Sequence, residues 1–285
     1  MSDPASVTAS TPSAADGLDG LPILMYHSIS PAAAPKFARF ALRPEDFAAQ
    51  MAYIAEAGYQ TMTVTEATAV LDRRLPLPER AVVLTFDDGF ADFHTTALPI
   101  LHENHLRATL YVVTGYVGRT GLWNADCGEQ DRPMLGWSQL REAAEQGVEI
   151  GAHSHTHPQL DRLDASRCRS EIRRSKAVLE DRLGLAVNSF AYPFGYRVGA
   201  TERAVAAAGF DSAVGVDDLR APTGGNRFAM PRLTVNAGTS TEQLGRLLLS
   251  RPDRKTLAAV QIKRTLWRAA RRGARLQPQW QDPIT

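Results

Sequence analysis

The chain has 285 residues, of which 44% are hydrophobic, and it carries 32 basic and 31 acidic residues. This length suits one large domain or two small ones, and the balanced charge gives no general reason to expect a nucleic-acid-binding protein. Cys127 and Cys168 are far apart and lack a C-x-x-C spacing. We therefore expect two free thiols and no requirement for an oxidising compartment.

The first residues of the chain differ in composition from the rest. Residues 1–19 are small and polar and include proline, a composition that predicts disorder. They contain no basic stretch followed by an apolar one, so no signal peptide is predicted. No apolar run approaches 18 residues, so no transmembrane helix is predicted either. The expected location is the cytoplasm.

The basic residues cluster near the other end of the chain. Residues 254–275 contain eight lysines and arginines and no acidic residue, together with an apolar stripe of Leu257, Val260, Leu266 and Trp267. Such a helix suits an anionic surface, so peripheral contact with the inner membrane or with an acidic partner is one interpretation. A solvated terminal helix packed on the body is the other. We assign residues 20–250 to one domain and residues 251–285 to a basic helical appendage.

From residue 22 onward, strand-like runs alternate with helix-like stretches. Strands are predicted at 22–29, 59–64, 81–86, 108–117, 148–153, 188–195 and 210–216. Helices are predicted at 44–58, 93–105, 137–148, 165–183 and 201–209. This alternation is typical of parallel strands joined by crossover helices, and so many units in one domain predict an α/β fold, a distorted (β/α) barrel of about seven parallel strands.

Polar residues occupy the carboxyl ends of three of these predicted strands. His27 ends the first strand, Asp87 and Asp88 end the third, and His153 ends the fifth. In a parallel barrel these ends meet on one rim, where catalytic and binding residues gather. We therefore expect these side chains to converge on one site.

The stretch "HSHTHP", residues 153–158, indicates a metal site. His153 and His157 are four residues apart, which places two imidazoles on one side of a helical turn. A carboxylate from another strand would complete three protein ligands, as in catalytic zinc sites. With Asp87 and Asp88 adjacent, one can bind the metal while the other accepts a proton from water, and Gly89 allows the two side chains to be aimed differently. Either motif alone is typical of a turn or an adventitious site.

"TFDDG" (85–89), followed by "HSHTH" (153–157) and "FAYPFG" (190–195), resembles the polysaccharide deacetylases with the NodB homology domain, carbohydrate esterase family 4. The resemblance covers roughly residues 20–250. It implies a distorted (β/α) barrel, one divalent metal per chain that is usually zinc, and hydrolysis of an acetyl amide or ester on a sugar. By position, it implies Asp87 as general base and Asp88, His153 and His157 as metal ligands, with His155 outside the ligand set.

Two departures from the family pattern concern catalysis. The family's third motif usually carries an arginine that orients the catalytic aspartate, and Ala191 stands at that position. The family's late Leu-x-His motif supplies a general acid, and no histidine follows His157. "FAYPFG" itself resembles the subgroup related to poly-N-acetylglucosamine deacetylases. Arg232, at the end of a predicted late strand, is a candidate for the missing arginine, a surface salt bridge being the alternative.

His27 is a candidate general acid or substrate ligand, a structural histidine being the alternative. The resemblance further implies that the Tyr192 N–H stabilises the oxyanion, and Trp123 is a candidate platform for a sugar. We predict a metal-dependent hydrolase that removes acetyl groups from N-acetylated sugars of a polysaccharide, an oligosaccharide or a glycan precursor. An O-acetyl sugar esterase and a catalytically inactive glycan-binding relative remain open as alternatives.

Overall fold

A computed structural model describes residues 20–73 and 75–249 of the chain. The predictions made for residues 1–19 and for the basic appendage at 251–285 lie outside the described residues. No helix within the described ranges is both long and apolar enough to cross a bilayer. Cys127 and Cys168 are free thiols, as predicted.

Within the described ranges, ten strands form two sheets, and all pairings between these strands are parallel. The strands are β1 (Ile23–Tyr26), β2 (Ser28–Ile29), β3 (Ala41–Leu42), β4 (Gln60–Met62), β5 (Ala81–Phe86), β6 (Thr109–Val112), β7 (Glu149–Ala152), β8 (Ser189–Ala191), β9 (Ser212–Val214) and β10 (Leu233–Thr234). The main sheet has the order β10-β1-β5-β6-β7-β8-β9, with β4 beside β5, and β2 pairs only with β3.

The main sheet curls until its two ends approach each other. Met230, three residues before β10, forms a parallel bridge with Val214 of β9. The Gly215 N–H also donates to the Met230 carbonyl at 2.8 Å, and the Met230 N–H donates to the Ala213 carbonyl at 3.0 Å. The predicted distorted barrel of about seven parallel strands is confirmed, with its seam at this short contact.

The helices are α1 (Pro44–Glu56), α2 (Val64–Asp72), α3 (Leu98–Glu103), α4 (Trp137–Glu145), α5 (Ala165–Leu183), α6 (Gly199–Ala207) and α7 (Thr241–Leu249). Helix α1, which matches the helix predicted at 44–58, buries Phe47, Met51 and Ile54. Helix α5 has the predicted bounds, and the Asp164 side chain caps it by accepting from the Ser166 and Arg167 N–H groups.

Two helices were not predicted. Helix α2 begins at Val64, the last residue of the predicted strand 59–64. It begins there because Thr63 and Glu66 form reciprocal capping hydrogen bonds. The spacing T-x-x-E was the available signal. Helix α7 follows β10 and was likewise missed. The segment between the predicted strand 108–117 and the predicted helix 137–148 contains a 3₁₀ helix at Leu122–Cys127.

The two faces of the main sheet carry different side chains. The outward face packs large apolar residues such as Leu84, Phe86 and Leu110 against the helices. The inward face is small and polar at Thr85, Gly151 and Ser189. A Cβ atom on Gly151 would lie 2.5 Å from the ring of Tyr111. The interior is therefore shaped to hold a few large side chains, and Tyr111 and Arg232 are both fully buried there.

Candidate active site

Asp87 follows β5 directly and is held at the rim of the barrel. Its N–H donates to the carbonyl of Tyr26 on β1 at 3.0 Å, and its side chain is buried. Burial alone would raise the pKa of Asp87. The charges of Arg232 and His153 and the hydrogen bonds from Arg232 outweigh that effect and lower this pKa well below its usual range. The carboxylate is therefore ionised at neutral pH.

Arg232 holds the Asp87 carboxylate with a bidentate ion pair. Its Nη1 donates to Asp87 Oδ1 at 2.6 Å and its Nη2 donates to Oδ2 at 2.7 Å. The guanidinium also donates to Thr85 Oγ1 at 3.1 Å and to the Gly215 carbonyl at 3.0 Å, and it lies 5.6 Å from the centroid of the Tyr111 ring. The guanidinium is thus surrounded by hydrogen-bond acceptors and the Tyr111 ring, and its ion pair with Asp87 is buried rather than on the surface.

The route by which Arg232 reaches Asp87 differs from the prediction. Arg232 was expected to end a late strand, but it immediately precedes β10. Leu233 pairs with Leu24 of β1, and the buried Arg232 side chain reaches Thr85 and Asp87 from there. An arginine from the seam of the sheet therefore contacts the carboxylate that an arginine at position 191 would be expected to orient.

Asp88 points away from its neighbour because of an unusual backbone conformation. Its φ is +75°, and the φ of Gly89 is +80°. Left-handed φ is uncommon for residues other than glycine, although aspartate tolerates it better than most. We had expected Gly89 alone to provide this freedom, but both residues adopt it. The result is that Asp87 faces Arg232 while Asp88 faces the two histidines.

The donor atoms of Asp88, His153 and His157 converge. The Nε2 atoms of the two histidines are 3.2 Å apart, and Asp88 Oδ1 lies 3.5 Å from His153 Nε2 and 3.3 Å from His157 Nε2. A tetrahedral zinc with bonds of about 2.0–2.1 Å separates its ligand atoms by about 3.3–3.4 Å. The three buried side chains therefore fit a divalent metal.

His153 has the protonation state that a metal ligand requires. Its Nδ1 lies 2.8 Å from the Ala191 carbonyl and donates to it, which leaves a lone pair on Nε2. Burial lowers the pKa of His153 to about 4, against the opposing attraction of Asp87. A histidine that binds a metal through one ring nitrogen usually donates a hydrogen bond from the other ring nitrogen to a carbonyl or carboxylate.

The loop that carries both histidines is anchored from outside the site. The Glu171 carboxylate on α5 accepts the His155 N–H at 2.9 Å, the Thr156 N–H at 2.8 Å and the Thr156 hydroxyl at 2.7 Å. The His155 ring contacts Thr114 instead, with 2.8 Å between its Nδ1 and the Thr114 hydroxyl. His155 is therefore absent from the donor cluster, and Glu171 is a supporting residue for which the sequence offered no signal.

His27 lies close enough to Asp88 and Asp87 for their charges to act on its ring. Its ring packs 4.6 Å from that of Phe40, and its Nδ1 is buried with no hydrogen-bond partner in the described ranges. Burial lowers the pKa of His27 below 6.5, although Asp88 and Asp87 act in the opposite direction. Burial thus favours the neutral form of the His27 ring.

The role predicted for Tyr192 is not supported by its backbone contacts. Its N–H donates to the Val214 carbonyl at 3.1 Å within the sheet, its hydroxyl donates to the Phe228 carbonyl at 3.0 Å, and its side chain is fully buried. Because the N–H is already engaged, it is not free for an oxyanion. None of these contacts supports the oxyanion role of Tyr192, which stays a prediction.

Two aromatic side chains adjoin the donor cluster. Trp123 lies 5.3 Å from the His157 ring between centroids and packs on Tyr116 at 4.7 Å. Phe194 lies 4.7 Å from the His157 ring. Trp123 is partly buried in a small apolar cluster, whereas Phe194 is 48% exposed. Phe194, which the sequence analysis did not single out, is the more open of the two.

Comparisons with known proteins agree with this geometry. The polysaccharide deacetylase family model matches residues 74–213. YxkH of Bacillus subtilis, named for that family, is 28% identical over 225 residues, 79% of this chain and 75% of its own. The poly-beta-1,6-N-acetyl-D-glucosamine N-deacetylase of Escherichia coli is 32% identical over 141 residues, 48% of this chain but only 21% of its own.

A solved structure extends the similarity over most of the described fold. The Streptococcus pyogenes deacetylase PplD, determined in complex with acetate, superposes with a TM-score of 0.71 at 25% sequence identity, covering 81% of this chain and 99% of that one. The strand order, the donor cluster and the family match together lead to one assignment: residues 74–213 of this chain belong to a polysaccharide deacetylase domain of the NodB type.

Proposed function

We propose that the protein is a metal-dependent hydrolase that removes acetyl groups from N-acetylated sugars. The observation that carries the proposal is the pairing of a three-atom donor cluster with a separate, ionised carboxylate: Asp88, His153 and His157 on one side, and Asp87 on the other. A divalent metal bound to such a cluster supplies a Lewis acid and lowers the pKa of water.

Zn²⁺ is the proposed metal, with one ion per chain. Two neutral imidazole nitrogens and one carboxylate oxygen form a donor set that zinc commonly accepts in catalytic sites. The 3.2–3.5 Å separations suit its short bonds. His153, His157 and Asp88 would hold the ion. The Ala191 carbonyl accepts from the His153 ring, and Glu171 anchors the backbone of His155 and Thr156 between the two histidines.

Asp87 is the proposed general base. Each carboxylate oxygen can accept two hydrogen bonds, so the bidentate contact with Arg232 orients Asp87 and leaves one acceptor position on each oxygen. Arg232 thus acts on Asp87 and does not need to touch the sugar. Because Arg232 lowers the pKa of Asp87, the protonated form of Asp87 is a strong acid and readily passes its proton on.

His27 is the proposed recipient and donor of that proton. Its neutral ring can accept a proton within the cycle, since Asp87 and Asp88 favour its charged form. The water oxygen joins the acetyl carbon, the carbon–nitrogen bond breaks, and His27 delivers the proton to the leaving amine. The products are acetate and a free amino sugar.

N-acetylglucosamine is the proposed sugar. The Escherichia coli relative is named for poly-beta-1,6-N-acetyl-D-glucosamine, and the motif "FAYPFG", which resembles that subgroup, lies within the residues that the family model matches. An O-acetyl ester remains the alternative bond, and the donor cluster suits either. Membrane or acidic-partner contact through residues 254–275 stays a prediction, because that segment lies outside the described residues.

Removing any one donor should remove the metal. In Asp88→Ala, His153→Ala or His157→Ala, two donors remain of three, so we expect less than one tenth of the wild-type zinc content after dialysis against a weak chelator. His155→Ala is the matched control, because its backbone anchors to Glu171 survive the change. Full zinc occupancy in His157→Ala, or its loss only in His155→Ala, would contradict the assigned donor set.

Changing Asp87 should separate catalysis from metal binding. Asp87→Asn should keep the zinc and lower acetate release from N-acetylglucosamine oligomers by about a hundred- to ten-thousandfold, the usual contribution of a general base. Arg232→Ala should also lower the rate while the zinc stays. Loss of zinc in Asp87→Asn would show that the two aspartates have exchanged roles. Acetate release from O-acetylated but not N-acetylated sugars would instead identify an esterase.

Residues 153–157 form the loop that carries both histidines, and detaching this loop from α5 should weaken metal binding. Glu171→Ala removes three hydrogen bonds to residues 155 and 156, and we expect a zinc dissociation constant raised about ten- to a hundredfold, as for other supporting residues. Competition with a fluorescent chelator measures it. Asp181→Ala, an exposed acid on the same helix, should leave the affinity unchanged. Equal zinc affinities for Glu171→Ala and wild type would refute the anchoring role.

The need for proton donation by His27 should depend on the leaving group. His27→Gln should keep the zinc but slow amide hydrolysis on the order of a hundredfold. Hydrolysis of an activated aryl acetate should slow far less, because its leaving group departs without a proton. Equal losses on both substrates would mean that His27 positions water or sugar, and no loss on either would make it structural.

A further inference from the structure

Phe194 stands out among the exposed apolar residues. Four large apolar side chains are exposed between residues 20 and 249, leaving aside residue 74, and Phe194 is the one aromatic ring among them. Leu75, Leu122 and Leu249 are the others. Exposure of a whole aromatic ring is unfavourable in water, and it is common where a ring receives a ligand. Its edge contact with His157, at 4.7 Å between ring centroids, places it beside the donor cluster.

The backbone holds this ring outward in an unusual conformation. Phe194 has φ +60° and ψ 5°, a left-handed conformation that bulky residues rarely adopt. Such conformations persist where the surroundings enforce them, and they concentrate at functional sites. The turn is closed by the Gly195 N–H, which donates to the Tyr192 carbonyl at 2.7 Å, and by the Tyr196 N–H, which donates to the Pro193 carbonyl at 3.2 Å.

A buried arginine fixes this turn to the barrel. Arg197 donates from Nη1 to the Gly195 carbonyl at 3.2 Å and pairs with Asp217 through Nη2. Gly195 itself is packed closely, since a Cβ there would lie 2.7 Å from Val216. The position of the Phe194 ring is therefore set before any ligand arrives, which reduces the entropy lost on binding.

Tyr196 extends the aromatic surface beyond Phe194. The two rings are nearly parallel, with an interplanar angle of 25° and 5.5 Å between centroids, an offset-stacked arrangement. The rings of His157, Phe194 and Tyr196 therefore form a continuous aromatic strip, which begins at His157 and ends at Tyr196. Trp123 offers no comparable strip, because its ring is packed against Tyr116 and Phe90.

We propose that Phe194 and Tyr196 form a platform for the sugar next to the one that loses its acetyl group. The inference rests on the proposed deacetylase function and specifies its substrate as a β-linked N-acetylhexosamine oligomer or polymer. The ring face of a β-linked hexose presents C–H groups that pack on an aromatic ring, while its hydroxyls remain in water. A monosaccharide bound at the donor cluster would leave the strip empty.

The experiment compares variants on substrates that do and do not reach the strip. Acetate release is measured for wild type, Phe194→Ala, Phe194→Tyr and Leu75→Ala. The substrates are N-acetylglucosamine, its β-1,6- and β-1,4-linked tetramers, and p-nitrophenyl acetate. Zinc content is measured for each variant. Leu75→Ala is the matched control, because it removes an equally exposed apolar side chain that is 47% accessible and lies in a different part of the chain.

For Phe194→Ala, kcat/KM on a tetramer should fall roughly three- to tenfold more than on the aryl acetate. The loss should appear mainly in KM, with zinc retained. Phe194→Tyr, which keeps a ring, should restore the tetramer rate, and Leu75→Ala should match wild type on every substrate. Equal losses on the tetramer, the monosaccharide and the aryl acetate would overturn the platform, and so would an unchanged tetramer rate.

A binding measurement separates this inference from the proposed function. Calorimetric titration of the tetramers into zinc-loaded Asp87→Asn, with and without Phe194→Ala, needs no turnover. Weaker binding in the double variant supports the platform even if wild type releases no acetate, an outcome that would defeat only the deacetylase proposal. Equal binding by both proteins, or no binding by either, would defeat the platform.

Discussion

The ion pair between Asp87 and Arg232 is the constraint around which the barrel interior is organised. Both side chains are buried, and removing a charged group from water costs several kcal/mol per ion unless its hydrogen bonds are replaced. Here they are replaced, because Arg232 donates to Asp87, to Thr85 and to the Gly215 carbonyl. The small residues of the inward face leave the space that this long side chain requires. A larger residue at Gly151 would displace Tyr111, which lies against the guanidinium.

The same ion pair distinguishes two neighbouring aspartates. Asp87 is satisfied by a permanent cation, while Asp88 faces only two histidines, which burial keeps neutral in the case of His153. The turn between them uses left-handed conformations at Asp88 and Gly89. Ser154, His157 and Phe194 share that conformation, so four of the six left-handed residues other than glycine in the described ranges surround one site. Backbone strain of this kind is expected at a functional site, where side chains must point in particular directions.

The parts of the fold predicted well from the sequence are those with local signals. Helix α5 has both a capping aspartate and a regular apolar face, and its bounds were predicted correctly. The histidine and aspartate positions followed from their location at strand ends. Helix α2 was missed because its short apolar pattern continues directly from a strand, although the T-x-x-E capping box was present.

Contacts between distant segments were less predictable. Nothing in the residues around Glu171 indicates that its carboxylate binds the metal loop, and the engaged N–H of Tyr192 depends on strand pairing with Val214. The neutral state of His27 likewise follows from burial, which sequence patterns do not report. Arg232 was selected for its chemistry, but its contact with Asp87 depends on how the segment before β10 joins the sheet.

The seam of the barrel has a consequence for how the site forms during folding. The segment that bridges β9 at Met230 continues within two residues to Arg232. Sheet closure and delivery of the guanidinium to Asp87 are therefore one event, and it involves residues almost 150 positions apart in the chain. Without that closure Asp87 would lack the cation that orients it. The placement of the base thus depends on the closing segment of the sheet, whereas the three donor residues follow β5 and β7.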